Sequence, residues 1–310
     1  MGLFDRFKKE PDSENRNNSE TPDGTGNYRH FVRLLISAKY VDLDCDIAIG
    51  GGMEKRLYKH GLPVFENTIV DGNGHTVDAR GIGRIFFIRE RNIVIKNMTF
   101  INGSDIVGGA IVIDENASVE IRDCTFKGNR AKHGGAIINS GSLSLENVKF
   151  IDNSSEKSGG VINNQSNAEL SVINCSFRQN SANKHGGALM NKSERPLRIS
   201  NTEFIRNSSS AEGGAINNNG NSANMIIDDS RFAENRSGVC GGAIINWGDF
   251  TIRNSQFQGN FSKSGNHIYC ENGSMHLSNS RFDYPKESSI FLANEDLVNI
   301  EDCEFAPDEE

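Results

Sequence analysis

Proline and tryptophan are scarce in this chain, with 6 Pro and a single Trp among 310 residues, whereas Phe reaches 18. Apolar residues make up only 36%. That balance is unusual for a helical or doubly wound enzyme, although the length suffices for a sizeable core in one or two domains. Apolar runs of the roughly 20 residues needed to span a bilayer are absent, so no transmembrane segment is expected. The N-terminus also lacks the apolar core of about 7 to 15 residues that marks a secretory signal, and the expectation is a soluble chain that is not Sec-exported. Positive charge is in deficit, with a formal net charge of −8. A phosphate polymer would be repelled overall, which argues against DNA or RNA as a partner.

What the chain has in abundance is glycine, 32 residues, arranged in a repeat. "FKGNRAKHGGAIINSG" from Phe126 has close copies starting at Phe150, Phe177, Phe204 and Phe232. With Phe as phase zero, the series Phe100, Phe126, Phe150, Phe177, Phe204, Phe232, Phe257, Phe282 and Phe305 recurs every 23 to 28 residues, the mark of stacked units. Seven and five residues before each Phe stands an apolar pair, from Ile93 and Ile95 to Val298 and Ile300. A spacing of two is the strand period, so each unit contains a short strand with one buried face. Three residues before each Phe the residue is always Asn or Asp. These types tolerate left-handed backbone and bond to neighbouring peptide groups, which places a sharp turn there.

The Phe belongs to a second strand. Asn129, Asn153, Asn180, Asn207, Asn235 and Asn260 follow at plus three and open a variable polar loop. That loop closes on Gly-Gly-Ala-Ile, which starts a third strand ending in Asn139, Asn164, Asn191, Asn218 or Asn246. Three strands and three turns are thus expected per coil. Such strands bury their inner side chains only when stacked in parallel at about 4.8 Å per coil. The expected fold is all-β, a single-stranded right-handed parallel β-helix of about ten coils, with like-on-like stacks of Phe, Ile and Leu and side-chain ladders of Asn. The paired glycines are assigned to a tight corner and close backbone approach, not to a nucleotide site.

Residues 28–310 form the expected β-helix domain, including an N-terminal cap. In "YRHFVRLLISAKY", Phe31, Leu34, Leu35 and Ala38 have helical spacing, suited to a helix covering the open end of the stack. "ENTIVDGNGHTVDA" reads as an earlier coil with Val70 in the Phe phase. Residues 1–27 are expected to be a short amphipathic segment and a disordered linker. Residues 1–10 offer a weak membrane-surface or partner-docking helix, or else a solubilising tail; Arg6 stands where a myristoylation signal needs Ser or Thr. The acidic, Pro-interrupted "NIEDCEFAPDEE" blunts the far edge.

Candidate chemistry is sparse. Cys124, Cys175 and Cys303 share one inward position, but Cys124 and Cys175 are two coils apart, about 9.6 Å, beyond the roughly 7 Å limit for a disulfide. Cys240 and Cys270 are in adjacent coils but six residues out of phase. Free thiols are expected, mostly buried as small apolar groups, which favours a reducing compartment and a cytoplasmic location. His133 and His185 share a position before the glycine pair with Ser158 between them, so a common metal ion is not expected. "DGNGH" at Asp71 reads as a turn, and neither a cofactor nor a catalytic residue is assigned. Trp247 occupies a turn position held elsewhere by Ser140, Lys192 and Asn219. Its ring could stack on a sugar or a protein partner, or lie against its own loop.

The Phe-x-x-Asn and Gly-Gly-Ala-Ile units of "FKGNRAKHGGAI" and "FAENRSGVCGGAI" resemble the repeats of chlamydial polymorphic outer-membrane proteins. "NTIVDGNGHTVDA" leading into "RIFFIRERNIVIKNMTFING" resembles the adhesin-like proteins of methanogenic archaea, right-handed β-helices of the pectate-lyase-like type. The resemblance covers about residues 29–305 and implies a non-catalytic adhesin-like binding or scaffold protein that presents its surface to a glycan or protein ligand. It also implies a cell-surface location as the alternative to the cytoplasm. Two other readings stand beside it. A polysaccharide lyase or hydrolase would need acidic residues converging on neighbouring coils, and none cluster at the outward strand positions. An intracellular assembly element could be tethered by residues 1–27.

Overall fold

The computed structural model describes residues 26–51, 53–220, 224–293 and 298–308. The amphipathic segment and most of the linker expected over residues 1–27 lie outside them. Among the described residues every strand pairing is parallel, with a register shift between the Ala131–Ser155 and His133–Ser158 pairs, and the strands assemble into sheets of eleven, twelve, six and ten strands. The first sheet runs from Tyr40–Asp42 to Val298–Glu301 and carries the apolar pairs; the second runs from Gly26–Asn27 to Glu304–Phe305 and carries the Phe series. Ile93 and Ile95 face Val119 and Ile121, then Leu143 and Leu145, and so on down the stack. The third sheet spans Ser104–Val107 to Arg236–Ser237, and the fourth His60–Leu62 to Ile290–Leu292. A parallel solenoid of about ten turns is therefore present as the repeat implies. Among the described residues no helix is long and apolar enough to cross a membrane.

Phase decides the core. The nine Phe rings form one column, with neighbouring centroids 4.5 to 5.1 Å apart and planes within 21° of parallel. From Phe100 to Phe282 they are at most 2% exposed. Each ring contributes about 1.5 to 3 kcal/mol by burial and about 0.5 to 1.5 kcal/mol more by stacking. All nine Asn or Asp residues three before Phe are left-handed, with φ between 46° and 55°. A second left-handed position, two after Phe, is occupied by Asn102, Gly128, Asp152, Gln179, Arg206, Glu234 and Gly259. It is invisible by residue type because the stack imposes it on Gln, Arg and Glu, at a local cost of about 1 to 2 kcal/mol.

The expectation of three strands per coil is corrected to four over Ser104 to Ser237. The polar loop after the Phe-phase Asn contains the third sheet, where the position of Asp105 in the first strand is held in the later strands by a small buried residue, Ala131, Ser155, Ala182, Ser209 or Ser237. One small residue makes no apolar alternation, so the strand period is absent from the sequence. The coil before Phe100 is also out of the expected register. Val70 pairs with Ile95, and Val77 holds the Phe phase opposite Phe100. Asn67 and Asn73 have positive φ and imitate the turn spacing, which misplaced the phase by one strand.

Buried ladders connect the coils. Asn129, Asn153, Asn180, Asn207, Asn235 and Asn260 are fully buried, and each Nδ2 donates to the next Oδ1 at 2.8 to 3.0 Å. Asn139, Asn164, Asn191, Asn218 and Asn246 form a second ladder at 2.6 to 2.8 Å. A third passes through the position two before Phe, where Thr202, Ser230, Ser255 and Ser280 donate to the carbonyl two residues back. Cys124 and Cys175 place Sγ 3.2 Å from the same carbonyl. These thiols therefore substitute for hydroxyls and are not merely small apolar filler. None of the six cysteines is joined to another in a disulfide.

The glycine pair performs two tasks. The first glycine of each pair has φ between 56° and 66°. A Cβ on the second would lie 1.9 to 2.3 Å from a carbonyl oxygen of the next coil. At the N-terminal end helix α1, Tyr28–Ser37, buries Tyr28, Phe31 and Leu35. Phe31 contacts Phe86 at 5.6 Å, and Phe86 meets Phe100 edge-on at 5.9 Å, so the cap continues the aromatic column.

Candidate functional site

Strands of the fourth sheet alternate, with Ile137 and the ladder Asn139 inside and Ile138 and Ser140 outside. The register carries this pattern along the solenoid. One outward column runs through Val112, Ile138, Asn163, Met190, Asn217, Ile245, Tyr269 and Phe291. Although outward-facing, the members from Val112 to Ile245 are at most 8% exposed. They form the floor between two flanks. One flank is the corner column of His133, Ser158, His185, Glu212, Cys240 and Ser264, paired coil to coil. The other is Ser140, Gln165, Lys192, Asn219, Trp247 and Glu271, whose backbone N–H groups bond the preceding coil.

Flank side chains reach the floor. Gln165 Nε2 donates to Asn163 Oδ1 at 2.7 Å, and Asn217 Nδ2 donates to Glu212 Oε2 at 3.2 Å. Glu212 Oε2 also lies 3.2 Å from His185 Nδ1. Asn217 Oδ1, Trp247 Nε1 and His133 Nδ1 are buried here without a hydrogen-bond partner, as is His185 Nδ1 apart from its ion-pair contact with Glu212. Buried polar atoms are normally satisfied, so each of these marks unmet hydrogen-bonding capacity on this face. Asn217 is 1% exposed, so its amide is held by the fold with its carbonyl uncommitted.

The face is electrostatically divided. Burial, then the charges of Lys192, Lys157 and Lys132, lower the affinity of His133 for a proton. Toward the C-terminal end, burial followed by a hydrogen bond with Glu271 pushes the Tyr269 phenol up to about 12. Burial and the carboxylates of Glu212 and Glu271 push the Cys240 thiol up to about 11. Both groups are neutral at pH 7, and neither is a nucleophile there.

Trp247 occupies the expected position, in register with Asn219 through a bond from its N–H to Asn218 O of 3.0 Å. Its ring is half-buried on the groove flank. Because Asn217 and Tyr269 oppose Ile245 from the coils on either side, Trp247, two residues along, is diagonal to both. Diagonal neighbours on one sheet face are within reach of an aromatic side chain. Tyr269 in turn stacks on Phe291 at 4.5 Å and 10°. His133 and His185 remain separated by Ser158, as their phase implied. Sequence reasoning missed Glu212, Asn217, Tyr269 and Glu271. The available signal was a column whose aliphatic pattern is interrupted by Asn163, Asn217 and Tyr269. Side chains that could share a metal ion lie at the opposite end, at the N-terminal cap.

The model of the family described as the right handed beta helix region matches residues 109–277, just over half of the chain. No curated protein and no solved structure matches the chain.

Proposed function

We propose, for a chain that belongs to the right-handed β-helix family, a non-catalytic binding role in which the outer groove of the fourth sheet holds an extended glycan. One observation carries this reading. Trp247, Tyr269 and Phe291 fall on three consecutive coils beside Asn217 Oδ1 and Trp247 Nε1, which have no partner of their own. Pyranose rings offer an apolar C–H face to aromatic side chains and hydroxyls to amides and carboxylates, the two functions arranged here. The rise per coil, about 4.8 Å, is close to the length of one sugar unit, so successive coils can meet successive units. The resemblance of the repeat to adhesin-like proteins supports the same role. Glu212 and Glu271 stand on opposite flanks, two coils apart, and supply hydrogen-bond acceptors.

Glycan-array binding by the full chain tests this, followed by titration with the best oligosaccharide. Trp247→Ala should weaken binding at least about tenfold, the equivalent of about 1.4 kcal/mol, while leaving the β-sheet circular dichroism unchanged. Equal binding by the variant would remove Trp247 from the interface. Calcium-dependent release of unsaturated products from uronate polymers would replace the binding role with that of a lyase.

A further inference from the structure

The N-terminal end of the solenoid carries a second cluster. His30 is the third residue of α1, and Asp44 and Cys45 lie in the bend between strands Tyr40–Asp42 and Ile47–Ala48. One ligand atom from each of these residues lies within 4.8 Å of the other two, and His30 Nε2 stands 3.0 Å from Asp44 Oδ1. We propose that His30, Asp44 and Cys45 form a binding site for a thiophilic divalent cation of the zinc class.

The donor set selects the ion. Imidazole nitrogen, thiolate sulfur and carboxylate oxygen together suit Zn²⁺, whereas Mg²⁺ and Ca²⁺ require oxygen shells. Bonds to zinc of about 2.0 to 2.3 Å put tetrahedral ligands roughly 3.3 to 3.8 Å apart, so His30 Nε2 and Asp44 Oδ1 need to open slightly and Cys45 Sγ, within 4.8 Å of both, to close by about 1 Å or less. Rotation of the Asp44 side chain, 71% exposed, and of the half-buried Cys45 can provide that, while the His30 side chain, 19% exposed, is held by α1. The exposed side leaves a fourth position for water. The bend itself is pinned from both ends. Leu43 N–H donates to Asp71 O at 2.9 Å, and Asp46 Oδ1 accepts Thr76 N–H at 2.8 Å beside His75 Nδ1 at 3.2 Å. Binding displaces the thiol proton to solvent and forms the sulfur–metal bond, with no change of oxidation state. The ion would tie the cap helix to the first coil and stabilise the folded state.

Titration of the reduced, chelator-stripped full chain with Co²⁺ tests the site. One equivalent should produce a thiolate-to-cobalt charge-transfer band in the near ultraviolet, displaced by Zn²⁺. Cys45→Ser should abolish the band, and Cys303→Ser, at the other partly exposed cysteine of the described residues, should leave it intact. His30→Gln, which keeps the thiol, should retain the band but bind at least about tenfold more weakly. Zn²⁺ should raise the Tm of the parent chain and not that of Cys45→Ser. A band that survives Cys45→Ser, unchanged affinity in His30→Gln, no saturable cobalt binding, or an equal zinc-dependent Tm shift in both chains would overturn the proposal.

Discussion

Asn180 shows how much a single side chain can be made to do. Its Nδ2 donates to Phe150 O at 3.1 Å and Asn207 Oδ1 at 2.9 Å, and its Oδ1 accepts both N–H and Nδ2 of Asn153, at 2.9 and 3.0 Å. Four hydrogen bonds vanish in Asn180→Ala, and Asn153 loses the acceptor of two buried donors. Stranded buried groups cost about 1 to 3 kcal/mol each, so a loss of about 2 to 4 kcal/mol is expected in urea unfolding at pH 7. Gly187→Ala should be worse. Its Cβ would sit 2.1 Å from Gly214 O, backbone against backbone with nothing able to yield, and at least about 3 kcal/mol or loss of soluble expression is expected. His267 ends the Asn ladder, because Asn260 Nδ2 donates to its Nδ1 at 3.0 Å. That bond requires an unprotonated Nδ1. Asp283 Oδ1, 3.0 Å from Nε2, favours the charged ring, but its side chain is 39% exposed and screened by water. Burial dominates and pushes the imidazole down to about 3. Between the ordinary value near 6.5 and about 3 the unfolded chain binds the extra proton, so this contribution to stability is present above that window and declines as pH falls through it. His267→Gln should flatten the acid limb of stability against pH, measured from urea midpoints at pH 7, 5 and 4.

At the scale of elements, the third sheet is the weakest of the four. Ser181–Ala182, Ser208–Ser209 and Arg236–Ser237 are two-residue strands with a single small buried side chain each. Strands of the second sheet in the same coils bury a stacked Phe. Local opening follows the apolar surface at stake. Backbone amides of Ser181, Ser208 and Arg236 should therefore exchange with deuterium well before those of Phe177, Phe204 and Phe232. Equal protection would mean that the coil opens only as a unit. The same scarcity of apolar surface hid this sheet from sequence reading. The Phe-phase Asn was legible as the start of a loop and as a member of a ladder, but the serines and lysines after it have no strand period. Trp247 was legible because it departs from the residues at its phase. Glu212, Asn217 and Tyr269 depart at other phases, and only the register shows that all four lie on one face.

For the whole molecule, stacking multiplies a local motif and leaves two ends to close. Phe31 extends the aromatic column into α1 at one end, and Phe305 closes the Phe column at the other, 4.8 Å from Phe282. Phe31→Asp would place a carboxylate against Phe86 and cost about 3 to 5 kcal/mol of cap docking. Exposed parallel edges then pair with other chains. The weight-average mass of Phe31→Asp by light scattering should climb with concentration more steeply than that of the parent chain; identical behaviour would show that the edges need no cap. The sequence by itself determined the coil, because its turns, glycine corners and like-on-like columns are set by residues a few positions apart and repeated at one phase. Tertiary structure decided the polar third sheet, the phase of the coil at Val70 and the groove. Those depend on which side chains of different coils share a face, and that follows from the stacking register and not from any spacing within one repeat.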